Sequence, residues 1–189
     1  RVVREDEQRQ DLLFAGTETG MYVSWNGGEK WHPFQLNLPV TPILDLAVRH
    51  GDLIAATSGR SFWILDDLSL FRQHDATENE FHLYKPEPSM LSNHGSELSA
   101  TSKDFKGSHP LRGVNPANGV VIYYTLPKLE KDQHISLEIT DSSGDMIVRF
   151  TSKEDEAFEK YDGGPPSPTT LPKDEGLNRF VWNMRHRTM

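Results

Sequence analysis

A unit of about forty residues occurs twice near the start of this chain, and that period constrains the fold more than any other feature. Leu12-Leu13-Phe14-Ala15-Gly16-Thr17 aligns with Asp52-Leu53-Ile54-Ala55-Ala56-Thr57, an offset of 40 from Thr17 to Thr57, and the same offset sets Tyr22 beside Phe62, Val23 beside Trp63 and Asn26 beside Asp66. Short runs dense in aromatic and β-branched residues, each bracketed by turn residues, predict strands rather than helices. Residues 12–17, 21–24 and 30–35 read as the second, third and fourth strands of one unit. Residues 43–49, 53–57 and 61–66 read as the first three strands of the next, with 81–85 as its outer strand. A four-stranded unit repeating every 40–45 residues is the period of a β-propeller blade.

The corner Ser24-Trp25-Asn26-Gly27-Gly28-Glu29-Lys30-Trp31 has a pattern with a physical basis. Asn26 can accept from turn amides, Gly28 tolerates positive φ, and Trp31 can fold back onto the strands. It resembles the Asp-box or BNR repeat, Ser-x-Asp-x-Gly-x-x-Trp, with Asn26 in the Asp position, so Ser24, Asn26, Gly28 and Trp31 are assigned a structural role. In the second unit Asp66 is kept, while Asp67, Leu68 and Phe71 stand where the glycines and Trp would be. Together with Gly16 to Ser24 and Ala56 to Asp67, this wording resembles the end of the large bacterial BNR-repeat propellers described as sortilin-like or glycosyl-hydrolase-like. The resemblance covers residues 12–72, and Ser58 stands where that family usually has His. It implies an extracytoplasmic protein, periplasmic or secreted. The family includes hydrolases, receptors and assembly factors, so it assigns no single reaction.

Residues 73–112 are polar and rich in Pro, Ser and Gly, the composition of a linker. Beyond them, 119–126, 134–140, 146–150 and 178–185 read as strands, with a hairpin turn at Asp141-Ser142-Ser143-Gly144-Asp145 and Ile135, Leu137 and Ile139 alternating inward. Residues 151–175 read as a mobile excursion. The module resembles part of the immunoglobulin-like or fibronectin-like sandwich that follows such propellers, where Asn-Pro-x-x-Gly (Asn115 to Gly119) opens it and Gly-x-Asn-Arg-Phe-x-Trp (Gly176 to Trp182) recurs. The expected architecture is all-β: about one and a half propeller blades over residues 1–72 and an incomplete sandwich over 113–189. The chain therefore reads as a piece of a larger protein.

A net charge of −8 argues against nucleic acid as a partner, because phosphate binding needs clustered Lys and Arg. No apolar run is long enough to span a membrane. The absence of Cys excludes disulfides, thiolate nucleophiles and Cys-ligated metals. The eight His show no ligand spacing and no Gly-x-Ser-x-Gly elbow exists, so no metal, cofactor or catalytic residue is assigned. Glu18 and Arg60, in corresponding turns of the two units, form the candidate ligand face, with a turn-stabilising ion pair as the plainer reading. Asp66 and Asp67 read as turn caps rather than a glycosidase pair, since neighbours on a strand point to opposite faces. Trp31, Trp63 and Trp182 are assigned to cores; Trp25 and Tyr161 could stack on sugars, with core or rim packing as the commoner fate. The expected function is a binding or assembly module for a protein or glycan ligand, with homo-oligomers through open sheet edges. The alternative is the C-terminal part of a sialidase- or xyloglucanase-like hydrolase whose carboxylates lie in other blades.

Overall fold

The computed structural model describes residues 1–74, 80–90, 117–154, 158 and 169–185. The protein is all-β, built of small antiparallel sheets, and among the described residues none of these closes on itself. Its chain divides into two compact units, Arg1–His74 and Asp75–Met189. Among the described residues no helix is long and apolar enough to cross a membrane.

The first unit opens with a four-stranded meander of β1 (Val2–Glu5), β2 (Leu13–Gly16), β3 (Met21–Ser24) and β4 (His32–Pro33). Strand β1 escapes the sequence reading because two of its four residues are charged; its pairing with β2 completes the sheet. The strand expected over 30–35 shrinks to two residues. Pro33 cannot donate to a ladder, and it sits on the edge strand, where proline is tolerated. The second sheet joins β5 (Ile43–Arg49), β6 (Asp52–Thr57) and β7 (Phe62–Leu65), and is followed by one short helix, α1 (Ser69–Gln73).

Side-chain alternation gives each sheet two faces. Phe14 opposite Val23 and Gly16 opposite Met21 share the front of the first sheet. Leu46 opposite Ala55, and Val48 opposite Leu53, share the back of the second, continued by Trp63 and Leu65. These two faces form one buried core with Leu12, Phe34, Leu38, Ile43 and Leu68. The front of the first sheet thus lies on the back of the second. Gly16 makes the approach possible, because a β-carbon there would stand 2.5 Å from Ile43 Cγ2.

The hairpin registers refine the repeat. Gly16 faces Met21 across β2 and β3, while its counterpart Ala56 faces Phe62 across β6 and β7, so the second turn is one residue longer. Tyr22 therefore corresponds to Trp63, Val23 to Ile64 and Asn26 to Asp67, each one place beyond the pairing that the sequence offset suggests.

The second unit contains β8 (His82–Leu83), β9 (Val120–Leu126), β10 (Ser136–Thr140), β11 (Met146–Thr151) and β12 (Gly176–Trp182). One sheet runs β12-β9-β8, and β10 and β11 form a separate hairpin. Residues 81–85, expected as the outer strand of the second repeat, instead supply β8, which pairs with β9. The two sheets share a core of Ile122, Tyr124, Leu126, Leu171 and Phe180, with Phe150 and Phe180 ring centroids 4.7 Å apart. Leu171 is buried and its amide bonds the Thr151 carbonyl, so this part of the expected 151–175 excursion is packed. The hairpin turn forms as its sequence dictates: the Asp141 carboxylate accepts from the amides of Ser143 and Asp145, and Gly144 takes φ +90.

Two motif residues in this unit have local physical causes. Gly119 lies against the Trp182 carbonyl, where a β-carbon would stand 2.2 Å from the oxygen. The buried Asn178 amide donates to the Asp174 and Gly176 carbonyls and accepts from the Asp174 amide, which fixes the entry to β12. Asn115, Pro116 and Tyr161 lie outside the described residues, as does most of the 73–112 linker.

Candidate functional site

The Ser24 to Trp31 corner folds on its own side chains. Ser24 is fully buried; its hydroxyl donates to Asn26 Oδ1 at 2.9 Å and accepts from the Gly28 amide at 3.0 Å. Asn26 Oδ1 also accepts from the Lys30 amide at 3.0 Å, so one carbonyl oxygen spans the turn. Gly27 and Gly28 take φ +67 and +92, which a side chain would strain. Trp31 is half-buried above Gly28 and Leu13, outside the main core. Trp25 packs against that core instead, its indole N–H donating to the Phe71 carbonyl at 3.0 Å and its ring meeting His74 at 4.7 Å and His32 at 5.7 Å. Trp25 thus takes the packing role expected ahead of sugar stacking. Trp63 and Trp182 lie partly buried against their cores.

Glu18 and Arg60 occupy the corresponding β2–β3 and β6–β7 turns, both exposed. They are not partnered with each other: Glu18 forms a two-pronged ion pair with Arg1 at 2.5 Å. Arg60 contributes its backbone carbonyl, which accepts from the Trp63 indole at 2.9 Å. Asp67 takes φ +61 and accepts the Ser69 amide, two residues on, at 2.9 Å. Asp66 is exposed, yet partial desolvation, with the charges of Asp52 and Asp67 nearby, raises its carboxyl above the usual range.

The most buried ion pair among the described residues is one that sequence reading missed. Asp6 is 6 % exposed and takes a bidentate contact from Arg72, with Nε and Nη2 each within 3.1 Å of its oxygens. The Gln8 and Arg9 amides donate to the same carboxylate. Burial opposes the charge on Asp6, but Arg72 and those two amides outweigh it and hold the carboxyl below its ordinary value. The Arg9 guanidinium bonds the carbonyls of Phe71, Arg72 and His74, satisfying the acceptors left open at the end of α1. The cluster clamps the start of the unit to its end. Its partners are 66 residues apart, and only the Arg following Phe71 could have hinted at it.

Among the described residues no group of three or more His, Asp or Glu gathers as metal ligands would. In comparison with known proteins, no family model, curated protein or solved structure matches this chain.

Proposed function

We propose that residues 1–72 are about one and a half successive blades of an Asp-box β-propeller and that the second unit is part of an immunoglobulin-like sandwich. Together they act as a binding or assembly module for a protein or glycan outside the cytoplasm. The observation that carries this reading is the front-to-back packing of two repeat-related sheets. Units repeated around a common axis present different faces to each other, whereas a two-fold sandwich would bury the same face twice. The hydrogen-bonded corner around Ser24 and Asn26 supports it independently. A non-catalytic role is favoured because Asp6 and Glu18 are spent on ion pairs and Asp67 on a turn amide.

The alternative is a hydrolase whose acid and base lie in other blades, with no catalytic carboxylate assigned among these residues. Both readings meet one experiment: the purified chain is applied to a glycan array and incubated with aryl sialosides and aryl β-glucosides. The module reading expects retention without release of the aryl group. Turnover of either aryl glycoside would transfer the assignment to the hydrolase.

A further inference from the structure

We propose that Asn26 is a self-modification site, where the Gly27 backbone nitrogen attacks the Asn26 side-chain carbonyl and the amide becomes a carboxylate while the chain stays folded. Two asparagines of the chain precede a glycine, Asn26 and Asn118. A following glycine has no side chain to obstruct the attack, so the sequence makes both steps reactive. The fold separates them.

Asn26 and Gly27 are both exposed and lie in a turn outside the strands, with Gly27 at φ +67. The Asn26 carbonyl oxygen accepts from the Ser24 hydroxyl at 2.9 Å and from the Lys30 amide at 3.0 Å. Two donors thus meet the oxygen on which negative charge builds as the nitrogen adds to Cγ. One restraint opposes the step: the Gly27 amide donates to the Asp11 carbonyl at 3.0 Å. Its release needs only a local opening of exposed turns, the least costly kind of opening. Asn118 is held differently. Gly119 is buried at the entry to β9, its amide donates to the Ala117 carbonyl, and a β-carbon on it would stand 2.2 Å from the Trp182 oxygen. Val120, the next residue, pairs with Trp182, so turning the Gly119 nitrogen toward the Asn118 side chain requires the β9–β12 ladder to part.

The reaction balances with water as its co-reactant. The Gly27 nitrogen gives up its proton to solvent and bonds to Asn26 Cγ; the bond from Cγ to the side-chain nitrogen breaks, and ammonia leaves behind a cyclic imide. Water then adds to either ring carbonyl and opens it to aspartate or isoaspartate. Aspartate keeps an acceptor where Oδ1 stood, whereas isoaspartate lengthens the backbone by a methylene and moves the oxygen that spans the corner.

The test incubates the full chain in mildly alkaline buffer, native and in guanidinium chloride, until both sites have reacted in the denatured sample. Peptide mass spectrometry follows each site, with chromatographic separation of aspartate from isoaspartate. In the denatured chain the two sites are expected to convert at similar rates. In the native chain Asn26 is expected to convert at least about tenfold faster than Asn118, with both products at position 26. Asn118 keeping pace with Asn26, or Asn26 staying intact in the native chain, overturns the proposal. Aspartate alone at position 26 overturns the cyclic route, because direct hydrolysis by water makes no isoaspartate. Val48→Ala weakens the core of the same unit from its second sheet. An unchanged native rate at Asn26 is expected in that variant; acceleration in proportion to the lost stability would assign the reaction to the unfolded unit and overturn the proposal.

Discussion

Gly16 in β2 lies directly over Ile43 at the start of β5, and the missing β-carbon is what lets the two sheets of the first unit meet. A β-carbon at Gly16 would stand 2.5 Å from Ile43 Cγ2, 2.8 Å from Ile43 Cβ and 2.9 Å from Val2 Cγ1. Ile43 is fully buried and branched at the contacting carbon, so it cannot swing aside. Gly16→Ala is therefore expected to cost about 1–3 kcal/mol through overpacking. Urea unfolding followed by tryptophan fluorescence should show the lower midpoint, with Gly20→Ala uninformative as a control because its φ of +149 adds strain of its own.

The Asp6–Arg72 contact makes a second prediction. Removing one partner of a buried, hydrogen-bonded pair leaves the other charge uncompensated, a loss of about 3–5 kcal/mol. Arg72→Met should thus destabilise more than Arg1→Met, whose partner Glu18 is exposed. Because the folded Asp6 carboxyl titrates below its unfolded value, the unfolded chain binds the proton first as pH falls. The stabilisation is complete above the ordinary carboxylate range and declines as the pH drops toward the folded value. Thermal unfolding from neutrality to acid should show the wild-type advantage over Asp6→Asn shrinking at the acid end; an advantage constant across that range would contradict it.

What the sequence discloses here follows distance along the chain. The strands, the hairpin at Asp141 to Asp145 and the Ser24 to Trp31 corner are each specified by residues within a few positions of one another, and they are legible for that reason. The Asp6–Arg72 clamp is not, because each residue alone looks like an ordinary surface charge. Pairing of β8 with β9 was equally hidden: two exposed residues, His82 and Leu83, carry no pattern that chooses one sheet over another. The one-residue slip in the second turn displaced the counterpart of Asn26 from Asp66 to Asp67, an error that a sequence offset cannot detect and a register can.

That corner can be tested through its buried hydroxyl. Ser24→Ala removes the acceptor of the Gly28 amide and the donor to Asn26 Oδ1 in a fully buried position. An unsatisfied buried polar group costs about 1–3 kcal/mol. Asn26→Ala loses the Lys30 bond at an exposed position, where water can replace it, and takes the acceptor from the Ser24 hydroxyl, which still accepts from the Gly28 amide, so its loss should be smaller. Chemical denaturation of the two variants should rank Ser24→Ala below Asn26→Ala; the opposite order would mean that the Asn side chain, not the hydroxyl, holds the turn.

Asp66 carries the opposite pH signature from Asp6. Desolvation, then repulsion from Asp52 and Asp67, raises its folded carboxyl, so the folded state prefers the proton more than the unfolded chain does. Its ionised form opposes folding at neutral pH, and that opposition is removed as the pH falls through the raised value and then below the unfolded one. Asp66→Asn should consequently raise the melting temperature at neutral pH, with the gain disappearing in acid, where the wild-type carboxyl is already neutral. Because Asp66 is exposed, the gain should be small and should diminish further in high salt as the three carboxylates are screened. Differential scanning calorimetry of the two proteins at neutral and acid pH, each at low and high salt, distinguishes this from a packing effect, which would persist unchanged in all four conditions.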